Sequence, residues 1–302
     1  TIKIKLLKKS LMKIDKFKLF VILFLLGLLF ITIFSGRVGI HDAGEYITIA
    51  KEISGYGNVG LFSAHSVVYP LFLSFFINIF PSLTFLKIIS AMWLFGTALI
   101  LKKYFGKKAF ILLATSPMLW HISVEVSPIL PVTFFFTLSY YFIDKWKKDK
   151  KIKHLLYTGF FSGLCVALWG GALFLVGMLF LVYLLNEKTF DSIWFLAFVG
   201  AGFSVRLIVD QIVFGFFLQT TLRYFGANVT TLFGLGASKV PLTTLDLLWR
   251  VMLWLSPALI FIFYKFKKKY WREVSLIILF LIFFFLRSGH PRGIKYFIII
   301  TP

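Results

Sequence analysis

The chain has 302 residues, of which 59% are hydrophobic and only 15% are charged, and its mean hydropathy is +0.90. Soluble domains are about half apolar and about a quarter charged, so this composition excludes an ordinary water-soluble fold. The net charge of +21 could suggest nucleic acid, but Lys and Arg cluster at the ends of apolar runs and form no single basic face. We therefore predict a multi-pass integral membrane protein surrounded by membrane lipids, with no nucleic-acid partner.

Apolar runs of near-spanning length predict the helices. They lie at about 17–34, 83–101, 109–123, 128–143, 155–169, 172–185, 192–209, 245–264 and 274–287, with a further start at Tyr296. The pattern predicts an all-α transmembrane bundle of about nine to ten helices, forming a single domain over residues 1–302. Because the chain opens at Thr1 and stops inside a fresh apolar run, we expect a truncation at one or both ends.

The apolar segment from Val68 to Phe80 decides the predicted topology. Its 13 residues would make about 20 Å of helix, which is short for a crossing. Placed on the membrane surface as an interfacial helix, it leaves the lysine tracts 102–108 and 144–153 on the same side as the N-terminus. Roughly two thirds of the 33 Lys and Arg residues then lie inside, as the positive-inside rule requires.

This choice fixes the predicted location of every loop. The N-terminus is expected to be cytoplasmic, in the plasma membrane or, in a eukaryote, in the membrane of the endoplasmic reticulum. The first extracytoplasmic loop then covers residues 35–82 and contains juxtamembrane helices. A short turn around Glu125 and a loop from Asp210 to Thr244 are expected on the same outer side.

The first loop opens with an acidic helix, HDAGEYITIAKEI. Tyr46, Ile49 and Ala50 fall at helical spacing and are expected to lie on the membrane, while Asp42 and Glu45 face away. The plainer interpretation is a capping box, in which Asp42 caps the helix and Glu45 completes the box. The sequence leaves both interpretations open.

Further charged residues fall at predicted outer helix ends. Glu125, in SPMLWHISVEVSP, is expected at the interface or in a polar cavity, because a carboxylate at bilayer depth costs about 2.5 to 3.5 kcal/mol. Its alternative role is to cap the next helix ahead of Pro128. Arg206 and Asp210 are four residues apart, so a helical ion pair or snorkelling accounts for them.

A late stretch, RSGHPRGIKY, is basic against the positive-inside trend. It holds Arg287, His290, Arg292 and Lys295 within one short predicted outer segment. Guanidinium and ammonium groups pair well with phosphate oxygens, so a lipid-linked phosphate is a natural partner. The alternative is non-specific contact with anionic head groups.

The order of these features resembles the GT-C class of membrane glycosyltransferases, which includes the protein O-mannosyltransferases and the aminoarabinose transferases. HDAGEYITIAKEI is similar to the acidic first-loop helix of that class, SAHSVVYPLFLSFFINIF to its second interfacial helix, and SPMLWHISVEVSP to its second acidic loop. GHPRGIKYFIIITP resembles a late basic and aromatic motif. The chain departs from the pattern where Ala43 follows Asp42 and where Glu125 stands in place of the common Asp.

The resemblance implies an inverting hexosyl or pentosyl transfer from a polyprenyl-phosphate or dolichyl-phosphate sugar to a glycan, lipid or protein acceptor. Asp42 would be the base, Glu125 and Glu45 would assist, and Arg292, Lys295, Arg287 and His290 would bind the donor phosphate. No structural metal site is indicated, but a divalent ion held by Asp42, Glu45 and Glu125 stays open.

The competing hypothesis is a flippase or transporter of lipids or lipid-linked sugars without catalysis. Transporters usually carry ionisable groups near the bilayer midplane and have repeated halves. We find no repeated half in this sequence. A structural subunit of a membrane complex is the third class, and it predicts no dependence on Asp42.

Overall fold

The described part of the chain is entirely helical. The computed structural model describes residues 15–38, 42–57, 65–186 and 191–232, with Asp42 described by its backbone alone. No strand occurs within these ranges, which confirms the all-α class for them. The helices are α1 Lys16–Phe34, α2 Asp42–Ile53, α3 Val68–Ile79, α4 Leu83–Phe105, α5 Lys107–Ala114, α6 Pro117–Ile122, α7 Ile129–Asp149, α8 Ile152–Leu168, α9 Ala172–Asn186, α10 Ser192–Phe214 and α11 Gln219–Leu232.

Three of these helices are long and apolar enough to cross a membrane. They are α1 with 19 residues and α4 and α10 with 23 residues each, while α3, α8 and α9 are apolar but shorter. Large apolar side chains point outward from the long helices, as Phe30 and Ile212 do, and such surfaces suit lipid. The chain is therefore a membrane protein. The predicted spans at 245–264, 274–287 and beyond Tyr296 lie outside the described residues, so the total of nine to ten stays a prediction.

The apolar run predicted at 109–123 forms two helices instead of one. Helix α5 ends at Ala114 and α6 begins at Pro117, after Ser116 adopts an extended backbone. Proline lacks an N–H group and disfavours a helical residue before it, so the break follows from Pro117. The indole nitrogen of Trp120 donates a 2.8 Å hydrogen bond to the carbonyl oxygen of Ala114 and satisfies one acceptor that the break leaves open.

The lysine tracts meet at one end of the bundle, which we call the basic end. The ammonium groups of Lys102 at the end of α4 and Lys107 at the start of α5 lie 5.2 and 5.0 Å from the ring centre of Phe17, near the start of α1. The rings of Tyr104 on α4 and Tyr141 on α7 stack with centres 3.5 Å apart. The tracts 102–108 and 144–153 therefore share one end with the first helix.

The opposite end, which we call the loop end, holds the start of the first loop. Helix α1 ends at Phe34, and the buried Lys87 of α4 donates a 2.6 Å hydrogen bond to the carbonyl oxygen of Ser35 just beyond it. A cation at this position also faces the negative end of the α1 dipole. The contact fixes the point at which the chain leaves the bundle and enters the first loop.

Short helix α3 lies along the part of α4 nearest the loop end. Its 12 residues cover about 18 Å. Three aromatic residues from successive turns of α3 each contact a residue in the first half of α4: Tyr69 with Ser90, Phe72 with Trp93, and Phe76 with Phe85. The described contacts thus hold α3 near the loop end over its whole length.

Helices α8 and α10 pack with their backbones in contact. Gly159 and Gly163 form a GxxxG pattern on α8, and Gly202 faces them from α10. A Cβ atom added at Gly163 would clash with the carbonyl oxygen of Val199, and one added at Gly202 would clash with that of Phe160. Small residues at this spacing allow close helix packing within a membrane. The packing places the last turns of α10 beside the end of α8, at the loop end.

Candidate functional site

The acidic first-loop helix forms where the sequence predicts it, but its apolar face has a different partner. Helix α2 begins at Asp42, and Tyr46, Ile49 and Ala50 on one face are buried. Ile49 packs with Val67 and with Val209 of α10. The expectation that this face lies on the membrane is therefore wrong, because protein covers it instead of lipid.

The Glu45 side chain lies near His65, a residue for which the sequence predicts no role. The Nε2 atom of His65 lies 3.7 Å from a carboxylate oxygen of Glu45, and each side chain is about one third exposed. The imidazole ring also lies 5.7 Å from the ring of Tyr46, centre to centre. Helix α2 and the segment before α3 thus form a half-open group containing one carboxylate and one imidazole.

Tyr69 links this group to the rest of the loop end. Its phenol forms a 2.8 Å hydrogen bond with Ser90 and a further one with the backbone of Ser127, while its ring packs edge-on against Tyr46. Burial raises the pKa of the Tyr69 phenol above its usual value, and the hydrogen bonds to Ser90 and Ser127 only partly oppose this. Tyr69 is therefore a neutral, fixed connector between α3, α4 and the turn before α7.

Glu125 lies in that turn and is buried, at 6% exposure. The turn closes through a hydrogen bond from the Glu125 backbone to Ile122, and the next residue, Val126, donates a 3.2 Å backbone hydrogen bond to Val38. Val38 precedes Asp42 by four residues. The structure therefore holds the backbone stretches that carry Asp42 and Glu125 at the same end of the bundle, as the prediction of a shared face requires.

Arg206 and Asp210 form a buried network, which the sequence analysis missed. Their side chains are 1% and 0% exposed. The Nε atom of Arg206 donates to the hydroxyl of Thr220 over 2.9 Å, while the hydroxyl and the backbone N–H of Thr220 donate to Asp210 over 2.8 and 2.9 Å. Snorkelling is therefore the wrong interpretation, and Thr220 bridges the two charges of the helical pair. The network joins the end of α10 to the start of α11.

The predicted outer loop from Asp210 to Thr244 begins as helix. Helix α10 continues to Phe214, and α11 occupies Gln219–Leu232. The ring of Tyr224 on α11 covers Gly170, where a Cβ atom would come within 2.7 Å of it. The same ring lies 6.0 Å from the guanidinium carbon of Arg206, and Val209 of the same helix packs with Ile49 of α2. The buried network is thereby adjacent to the acidic helix.

The predicted donor-binding residues Arg287, His290, Arg292 and Lys295 lie outside the described residues. Their proximity to Asp42, Glu45 and Glu125 therefore stays a prediction. Within the ranges described, no three His, Cys, Asp or Glu side chains are grouped to hold a metal ion. Because the Asp42 side chain is not among those described, the divalent ion predicted between the three carboxylates also stays a prediction.

Comparison with known proteins finds no family model that matches the chain and no curated protein that matches it. The function is therefore inferred from the residues of the loop end themselves. They include the carboxylates of Glu45, Glu125 and Asp210, the imidazole of His65, the buried cations Lys87 and Arg206, and the buried tyrosines Tyr46 and Tyr69.

Proposed function

We propose that the chain is a membrane glycosyltransferase that moves a sugar from a polyprenyl-phosphate or dolichyl-phosphate donor to an acceptor. The observation that carries the proposal is the pairing of Val38 with Val126, which brings the acidic first loop and the Glu125 turn together. Transfer to a hydroxyl or amine needs a base at the acceptor and cations at the leaving phosphate. Carboxylates and buried cations meet at this end of the bundle, which supports that chemistry.

The proposed orientation places the loop end on the non-cytoplasmic side. The basic end contains the lysines of the tracts 102–108 and 144–153 and the start of α1. Cytoplasmic loops are enriched in such residues, so the basic end and the N-terminus are assigned to the cytoplasm. The position of α3 near the loop end supports its assignment as a juxtamembrane helix of the first loop.

In the proposed mechanism Asp42 accepts the proton of the acceptor group as its oxygen or nitrogen attacks the anomeric carbon. The bond to the donor phosphate breaks on the opposite face, which inverts the configuration of the sugar. Glu125 orients the acceptor, and Glu45, beside His65, sets the charge around the base. Arg292 and Lys295, with Arg287 and His290, are assigned to the departing phosphate.

One observation favours a second candidate, a flippase for lipid-linked sugars. Arg206 and Asp210 are buried in a helix that is long enough to span the membrane. Ionisable residues within spanning helices often mark a transport path. Such a protein would move labelled lipid across the bilayer without forming a glycosylated product.

The deciding experiment uses the purified chain in liposomes with a polyprenyl-phosphate sugar. Asp42→Asn is expected to reduce transfer roughly a hundredfold or more, because a positioned base contributes about 10² to 10⁴ in rate. Asp191→Asn is the matched control, since Asp191 caps the start of α10 by accepting a hydrogen bond from Trp194. Unchanged transfer in Asp42→Asn removes the base assignment, and lipid movement without product favours the flippase.

A further inference from the structure

The guanidinium of Arg206 has one nitrogen without a partner. Its Nε atom binds Thr220, but its Nη2 atom is buried and has no hydrogen-bond partner among the described residues. A buried donor without an acceptor is costly, and a charged one more so. Such an atom in a nearly fully buried side chain marks a place where a ligand can supply the missing acceptor.

The neighbouring carboxylate does not fill this role. Both oxygens of Asp210 accept hydrogen bonds from Thr220, through its backbone N–H and its hydroxyl. Thr220 thus lies between the two charges and holds the carboxylate with neutral donors. The Nη2 side of the guanidinium therefore remains available to an external anion.

The exposed surface of α10 indicates what kind of molecule would carry the anion. On the face of α10 opposite to Arg206, Ile208 and Ile212 are 58% and 71% exposed. Exposed apolar residues continue through the junction between α10 and α11 and along α11: Phe216, Phe217, Leu222 and Phe225. A buried cation in a helix whose opposite face is apolar and exposed to lipid suits an anion carried on an apolar chain.

We propose that Arg206 binds an oxyanion of the phosphate class through Nη2, as a donor-binding residue additional to the late basic cluster. Nη2 carries two N–H bonds that can donate to phosphate oxygens, and burial strengthens such charge-assisted hydrogen bonds. The packing of Ile49 with Val209 places this part of α10 beside the acidic helix. The identity of the anion as the phosphate of the sugar donor rests on the proposed function. The anion site itself is inferred from the unpartnered Nη2 atom of Arg206.

The test compares ligand binding in three forms of the full chain in detergent: wild type, Arg206→Gln and Arg223→Gln. Arg223 is the matched control, because it lies in the first turns of α11, with its guanidinium carbon 6.0 Å from the ring centre of Phe214 on α10, but is partly exposed. The probes are a polyprenyl phosphate, the uncharged polyprenol and inorganic phosphate. Binding is measured as affinity and as the shift in melting temperature.

The expected result is that polyprenyl phosphate stabilises wild type and Arg223→Gln, while Arg206→Gln binds it roughly tenfold or more weakly. Polyprenol is expected to give no Arg206-dependent shift. An equal Arg206-dependent shift with inorganic phosphate supports the anion site and assigns the anion to a free phosphate. Equal affinity in wild type and Arg206→Gln, or no shift with either phosphate, overturns the proposal.

Arg206→Lys covers the case in which Arg206→Gln does not fold. It keeps the positive charge but offers a single nitrogen, so weaker binding in a folded protein is still expected. If Arg206→Gln loses affinity and wild type still transfers no sugar, the anion site stands and the proposed transfer fails. If wild type transfers sugar and Arg206→Gln keeps full affinity, only the anion site fails.

Discussion

Val126 donates its backbone hydrogen bond to the carbonyl oxygen of Val38 over 3.2 Å. The two residues are far apart in the chain, and each stands close to a carboxylate that the sequence analysis singled out. Asp42 follows Val38 by four residues, and Glu125 immediately precedes Val126. This one pairing holds the backbone stretches that carry the two carboxylates at the loop end.

Orientation is tested by labelling from outside the cell with a membrane-impermeant maleimide. Thr48→Cys, on the exposed face of α2, is expected to react, while Lys153→Cys, exposed at the basic end, is expected not to react. The native protein supplies the control, since its single cysteine, Cys165, is buried. Reaction at Lys153→Cys without reaction at Thr48→Cys would reverse the proposed topology.

Glu125→Gln tests the second carboxylate with almost no change in shape. We expect sugar transfer to fall roughly tenfold to a hundredfold with little change in donor affinity, because Glu125 is assigned to the acceptor. Initial rates over a range of donor concentrations measure both quantities. Glu52→Gln on α2 is the control, and equal rates in the two variants would remove Glu125 from the mechanism.

Tyr69→Phe removes the phenol that joins α3 to α4 and to the turn at Ser127. We expect a loss of about 1 to 3 kcal/mol in the free energy of unfolding, because buried polar groups lose their partner. Thermal unfolding in detergent measures the change. Tyr56→Phe, at a position 59% exposed, is expected to change little, and similar losses in both variants would contradict the role of Tyr69.

Gly163→Ala tests the contact between α8 and α10. The added methyl group would overlap the carbonyl oxygen of Val199, so we expect a destabilisation of about 1 to 3 kcal/mol and reduced transfer. Gly200→Ala on α10 meets no atom within 4 Å and is expected to be neutral or slightly stabilising. Melting temperatures compare the two, and equal values would show that the helices tolerate a wider separation.

Much of the described helix arrangement is predictable from apolar runs alone. The runs at 17–34, 83–101 and 192–209 correspond to the three long helices Lys16–Phe34, Leu83–Phe105 and Ser192–Phe214. The start of α2 at Asp42 follows from its periodicity. These features are local, since length and hydrophobic period decide them without knowledge of the partners.

The remaining features depend on contacts between residues that are distant in the chain. The apolar face of α2 has the same period whether it meets lipid or protein, and its contact with Val209 decides between the two. Likewise, the spacing of Arg206 and Asp210 fits a helical ion pair, and only Thr220 from the next helix completes the buried network. The break before Pro117 is different, because the proline is a local signal that predicts it without any distant partner.

The burial of Lys87 and Arg206 alters how the charges of this chain act on its surroundings. Both count as cations of the loop end when Lys and Arg residues are assigned to the two ends. They are nevertheless only 3% and 1% exposed, and each donates to an oxygen of the protein. Neither is exposed to the bulk head groups of the surrounding leaflet, so neither adds to the charge at its surface. The difference in exposed positive charge between the two ends is therefore larger than the number of lysines and arginines at each end indicates.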